Sequence, residues 1–120
     1  MTPSHLILAI MLVESNADVN AIGDNGTAHG CLQLTEAYIK DAAEHANEDW
    51  TVEDAYSYEK SRMIFNAYMH RYATPERLGR WVTPEDIARI HNGGPDGWKK
   101  ESTKEYWKKV KEVLMYEEKN

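Results

Sequence analysis

A single cysteine, Cys31, gives this chain no partner with which to close an intrachain disulfide, and predicts a protein made in a reducing compartment. Within its apolar patch Cys31 reads as a small core residue. Long hydrophobic runs are also missing. The longest, Leu6 to Val13, is eight residues, too short to cross a bilayer, so no membrane insertion is expected. No basic segment precedes it, and Glu14, Ser15 and Asn16 follow at once in place of a small-residue cleavage site, so no signal peptide is expected either. Positive charge is scarce: 14 Lys and Arg against 20 Asp and Glu leave a net charge of −6, which argues against a nucleic-acid partner. The five histidines, His5, His29, His45, His70 and His91, form no His-Glu-x-x-His motif and no close pairing with Cys31. A zinc amidase or peptidase therefore has little support, and neither metal nor cofactor is expected.

What is present is an ordinary globular composition, 42% hydrophobic and 28% charged over 120 residues, which predicts one domain, residues 1–120, around one core. A helix start recurs three times, at Thr2-Pro3, Thr74-Pro75 and Thr83-Pro84. The Thr side chain caps an orphan N–H, and Pro at the first helical position loses nothing. Asp86 adds negative charge to the first turn after Thr83, where the helix dipole favours it. The predicted helices are 3–15, 36–46, 57–73, 75–80, 84–91 and 103–117. The first is apolar almost all round and so is central. In 57–73 the stripe is Tyr58, Phe65, Tyr68, Met69 and Tyr72, widened by Met63 and Ile64. In 103–117 it is Tyr106, Trp107, Val110, Val113 and Leu114; both stripes read as core. Between the first two helices, Asn, Asp and Gly dominate residues 16–34, which is turn and hairpin chemistry. The fold class is mainly α, with about five to six helices and at most one small β-hairpin near residues 19–34.

Local charge is uneven. From Lys99 to Glu112 six lysines face three glutamates, either a solvated helix face or a weak attraction to an anionic polymer.

Chemistry concentrates at three points. Glu14 ends the apolar helix; burial there would favour its protonated form, as a general acid requires, though it can equally be the first solvent-facing residue. Ten residues on, in Ile22-Gly23-Asp24-Asn25-Gly26, Asp24 offers a second carboxylate or a plain turn residue. Gln33 follows as a lone amide in apolar chain. Far along, Ile90-His91-Asn92-Gly93-Gly94-Pro95 is a helix stop, in which Asn92 caps the helix or holds a sugar acetamido group. An acid, an opposing carboxylate and convergent amides are the components of a glycan-cleaving cleft.

Val13-Glu14-Ser15, Gly30-Cys31-Leu32-Gln33 and Ile90-His91-Asn92-Gly93-Gly94, in that order, resemble the lysozyme-like superfamily, above all its soluble lytic transglycosylase and goose-type branch. That branch carries a Glu-Ser, a Gly-Leu-Met-Gln-like and a Tyr-Asn-Gly/Ala-Gly motif. The resemblance implies Glu14 as catalytic acid and Asp24 as the carboxylate that positions water. It implies Ser15 as a support for the acid or the substrate, and Gln33, Asn92 and His91 as cleft residues. His91 departs from the branch's Tyr and can titrate. Thr35 stands where an aspartate is usual and helps hold water, or else N-caps the 36–46 helix.

The implied reaction is cleavage of the β-1,4 bond between N-acetylmuramic acid and N-acetylglucosamine in peptidoglycan. As a hydrolysis with inversion it needs carboxyl groups about 6.5–9.5 Å apart. The alternatives are a lytic transglycosylase, which leaves a 1,6-anhydro product, and an inactive glycan-binding module. A monomer is expected. With no signal peptide, the resemblance implies cytoplasmic synthesis and delivery as a phage endolysin, a virion-associated hydrolase or an excised domain.

Overall fold

A computed structural model describes residues 4–119, with side chains through Tyr116; the Thr2-Pro3 start lies outside the described residues. The first helix, α1 (Ser4–Ser15), buries Leu6, Ile7, Ala9, Ile10 and Met11. It packs against α5 (Pro84–Gly93) and α6 (Lys104–Lys119), the central position its all-round apolarity predicts. Two short strands follow, β1 (Ile22–Gly23) and β2 (Ala28–His29), antiparallel with Ile22 opposite His29. Next come α2 (Glu36–Ala46), α3 (Tyr58–Tyr72) and the single turn α4 (Pro75–Leu78). Among the described residues the architecture is six α-helices and one two-stranded sheet, the mainly helical class expected. No described helix is long and apolar enough to cross a membrane.

The Thr-Pro starts at Thr74 and Thr83 behave as anticipated. Each hydroxyl accepts an N–H three residues on, from Arg77 and Asp86, with Pro in the first turn. Asp86 closes the box by accepting from Thr83 N at 2.8 Å. Burial works against its charge, yet the two-pronged Arg80 guanidinium and the Thr83 donors hold its carboxyl below the usual carboxylate range.

Several boundaries differ from expectation. Helix α4 stops at Leu78 because Gly79 takes a left-handed φ of 76° and returns its N–H to Pro75 O. Helix α5 runs through Asn92 and Gly93, since Gly94, with φ 89°, is the residue that leaves the helix. Met63 and Tyr58 are exposed rather than core, at 43% and 46%, because they sit at the solvent margins of the α3 stripe. A 3-10 segment, Val52–Tyr56, lies between α2 and α3 with Asp54 accepting from Thr51 N at 2.9 Å. One cluster gathers residues from Leu6 to Val110, with Cys31 fully buried inside it, as expected.

Candidate active site

Glu14 occupies the last turn of α1. Asn16 and Ala17 then turn left-handed, at φ 58° and 63°, and their N–H groups return to Leu12 O and Met11 O. Ser15 does not face the cleft. Its hydroxyl donates to Cys31 O at 2.8 Å and accepts from Asp18 N at 3.1 Å. It therefore braces the end of α1, which carries Glu14, against the Gly30–Gln33 turn.

That turn and the hairpin form the facing wall. Asp24 and Gln33 both sit at left-handed backbone, φ 50° and 53°, an uncommon state for such residues that surrounding structure must enforce. Asp24 is held by Thr27, whose hydroxyl and N–H both bond to Asp24 O. Its side chain is exposed on the cleft rim. Gln33 braces the hairpin, donating from Nε2 to Gly30 O at 3.0 Å and Ala21 O at 3.4 Å. Gly30 must be glycine: its φ is 78°, and a methyl there would strike Ala55 O in the 3-10 segment.

Glu14 is largely covered, with 19% of its side chain exposed. Burial pushes its carboxyl up to about 7; a hydrogen bond from Tyr106 opposes this and the nearby Asp24 charge adds to it. The Tyr106 hydroxyl, from α6, donates to Glu14 Oε2 at 2.7 Å. His91 Nε2 lies 3.6 Å from the same oxygen. This is no ion pair, because burial drives His91 down to about 4 and leaves it neutral near pH 7. Its tautomer follows from its partners. Leu32 O, 3.0 Å from Nε2, can only accept, so Nε2 carries the proton and Nδ1 accepts from the Tyr38 hydroxyl at 2.9 Å. Both ring nitrogens are thus spent inside the protein. His91 is buried, with its ring beside Glu14, and it also lines the cleft.

The remaining walls come from α2, α3 and the end of α5. Tyr38 stacks on Tyr68 at 3.7 Å between ring centroids, and burial raises both hydroxyls, Tyr68 to about 12. Asp41 is fixed by both Tyr72, at 2.7 and 2.8 Å, and Arg71, at 2.7 Å. Thr35 caps α2 by accepting from Tyr38 N at 3.2 Å and also faces the cleft. Asn92 is exposed and lines the same cleft. The cleft these groups enclose has a volume of about 410 Å³ and runs from Glu14, Asp24 and Gln33 to Gly94 and Pro95.

The structure thus brings Glu14, Asp24, Gln33, Thr35, His91 and Asn92 around one cavity. It adds Tyr38, Asp41 and Tyr68 to the cavity, and Tyr106 behind it on Glu14, all of which sequence reasoning missed. Helical spacing places Tyr68 and Tyr106 on the core face, but says nothing about where a phenol at the far end of the ring arrives. Among the described residues no group of three or more His, Cys, Asp and Glu is placed to hold a metal ion.

The destabilase family model matches residues 4–113. The chain belongs to the destabilase family. It is 39% identical to a lysozyme of Meretrix lusoria over 84 residues, covering 70% of this chain and 66% of that protein. It is 36% identical to lysozyme 1 of Crassostrea virginica over 86 residues, covering 72% and 45%. It therefore spans about half to two thirds of the length of these relatives. An inhibitor-bound lysozyme from Meretrix lusoria superposes with a TM-score of 0.78 at 31% identity, covering 93% of this chain and 90% of that one. These matches place the chain in the lysozyme-like superfamily, and within it the family found is destabilase. They also overturn the expected phage endolysin or virion origin: the destabilase relatives are bivalve lysozymes.

Proposed function

We propose that this destabilase-family chain is a peptidoglycan glycosidase that hydrolyses the β-1,4 bond between N-acetylmuramic acid and N-acetylglucosamine, without metal or cofactor. The observation that carries this reading is a buried carboxyl, Glu14, pushed up to about 7, on the wall of an open cleft that also holds the exposed carboxylate Asp24. The names of its relatives as lysozymes agree with it.

In the proposed reaction the Glu14 proton passes to the glycosidic oxygen as the bond from the anomeric carbon breaks. Water attacks that carbon from the opposite face, and its proton goes to Asp24. Inversion would follow if the two carboxyl groups that line the cleft leave about 6.5–9.5 Å between them for that water. Thr35, Gln33 and Asn92 offer a hydroxyl and two amides to the sugars. The lysines of 99–112 would draw the enzyme to an anionic wall, an attraction that salt weakens.

Product analysis on purified peptidoglycan tests the reading, comparing wild type with Glu14→Gln. The expected products are free reducing ends, formed by the wild type alone and unaffected by chelator. Products lighter by one water, about 18 Da, would instead identify transglycosylation by the same acid. Lysis undiminished in Glu14→Gln would overturn Glu14 as the donor, and glycan binding with no products from either protein would mean a binding module.

A further inference from the structure

Tyr106 stands 92 residues from Glu14 in the chain, yet its hydroxyl hydrogen-bonds the acid. One donor holds a single carboxylate oxygen, with a ring N–H committed elsewhere standing just beyond hydrogen-bond reach of it. Tyr106 reaches Oε2 at 2.7 Å, and the Nε2–H of neutral His91 lies 3.6 Å from it. Oε1 has no protein hydrogen bond among the described residues. The groups facing Glu14 come from four elements: Asp24 on the β1–β2 turn, His91 on α5, Tyr106 on α6, and Tyr38 on α2 behind His91.

We propose that Tyr106 is a positioning residue for the proton donor: by occupying Oε2 it confines the transferable proton to Oε1 and stabilises the carboxylate left when that proton departs. The proposal rests on the reading of Glu14 as the acid. The step balances as follows. The Oε1–H bond breaks and an O–H bond forms at the glycosidic oxygen. The electron pair of the breaking C–O bond goes to that oxygen, and negative charge appears on Glu14. That charge spreads to Oε2, where Tyr106 already donates. A phenol is the fitting donor here, because burial and the adjacent Glu14 charge raise the Tyr106 hydroxyl far above its ordinary range, so it stays protonated at any working pH.

Burial and Asp24 push Glu14 up, while Tyr106 pulls it down. Removing the hydroxyl therefore makes the acid weaker, not stronger. In Tyr106→Phe, a carbon-13 NMR titration of the Glu14 carboxyl is expected to move its midpoint from about 7 to about 8. The alkaline limb of kcat/KM should move up with it. On the acidic plateau kcat should fall about ten-fold with little change in KM, because a weaker acid protonates the leaving oxygen more slowly. Site-specific 3,5-difluorotyrosine at position 106, a stronger donor of nearly the same shape, should shift midpoint and limb downward. A Tyr106→Phe protein that is merely less stable, with midpoint and limb unmoved, overturns the proposal. A midpoint that shifts while the activity limb stays fixed, together with an active Glu14→Gln, would show instead that Glu14 is not the acid.

Discussion

Glu14 is charged at the cost of its burial, and that cost has a sign that can be measured. Its folded midpoint near 7 lies above its ordinary 4.5, so the native state holds a proton that the unfolded chain has lost. Stability from this group is full below about 4.5 and is lost as pH rises through 7. Glu14→Gln is therefore expected to stabilise the fold at pH 8, by up to about 3 kcal/mol, with the gain vanishing near pH 4 in thermal unfolding. The same substitution should lower kcat/KM by about 10²–10⁴-fold. Wild-type activity should decline above pH 7, as the donor loses its proton. In the proposed mechanism Asp24→Asn leaves Glu14 intact but removes the acceptor for the water proton. It should cut hydrolysis by about 10²-fold or more while Glu14 still titrates, which carbon-13 NMR can follow.

How much of this was legible in the sequence depends on the residue. Position after eight apolar residues left Glu14 open between a buried acid and a solvent-facing helix end, and it stood out only in the company of Asp24, Gln33 and Asn92. Asp24, Gln33 and Asn92 were found through turn chemistry and their order along the chain. Tyr106 was hidden in an aromatic stripe, since its hydroxyl acts at the end of a ring whose body is core. His91 was seen, but its tautomer was not legible, because the acceptor that fixes it, Leu32 O, is a backbone atom 59 residues away.

At the scale of elements, helix starts were the most readable feature and short turns the least. Thr-Pro dipeptides announce a cap through local sterics, and α2, α3 and α5 begin within a residue of expectation. The 3-10 segment Val52–Tyr56 carries no comparable pattern. Its place is set by tertiary contact, with His29 Nδ1 hydrogen-bonded to the Tyr56 hydroxyl at 2.7 Å and Gly30 pressed on Ala55. Gly30→Ala should therefore destabilise by about 2–4 kcal/mol and displace the turn bearing Gln33, giving reduced activity even in protein that remains folded. The approach to α6 is pinned differently. Buried Arg89 donates from Nε to Thr103 Oγ1 at 2.8 Å, and Thr103 donates in turn to Gly97 O at 2.7 Å. Thr103→Val, nearly isosteric, should cost about 1–3 kcal/mol in chemical unfolding by stranding these groups.

Across the whole molecule, the two buried titrating groups beside each other compensate. Between about 4.5 and 6.5 the native state carries its proton on Glu14 and keeps His91 neutral. The unfolded chain does the reverse, with His91 protonated and Glu14 ionised. His91, whose folded value is depressed to about 4, loses stability as pH falls through that window, while Glu14 regains it. From this pair the net proton uptake on unfolding is close to zero, so its contribution to stability should be flat there. Glu14→Gln breaks the balance. Its melting temperature should climb from pH 4.5 to 6.5 relative to wild type, and a constant difference would refute the pairing.

The docking of α6 against α1 has a further consequence. Residue 106 emerges 92 residues after residue 14 in synthesis, so Glu14 acquires its phenol partner only when α6 is in place. Cutting the backbone in the Asp96–Lys100 loop would divide the enzyme into a piece that carries the cleft and a peptide that carries the tuning phenol. Neither alone has the complete donor. Turnover on mixing would then count reassembled molecules, making this fold a split reporter whose signal is its own chemistry.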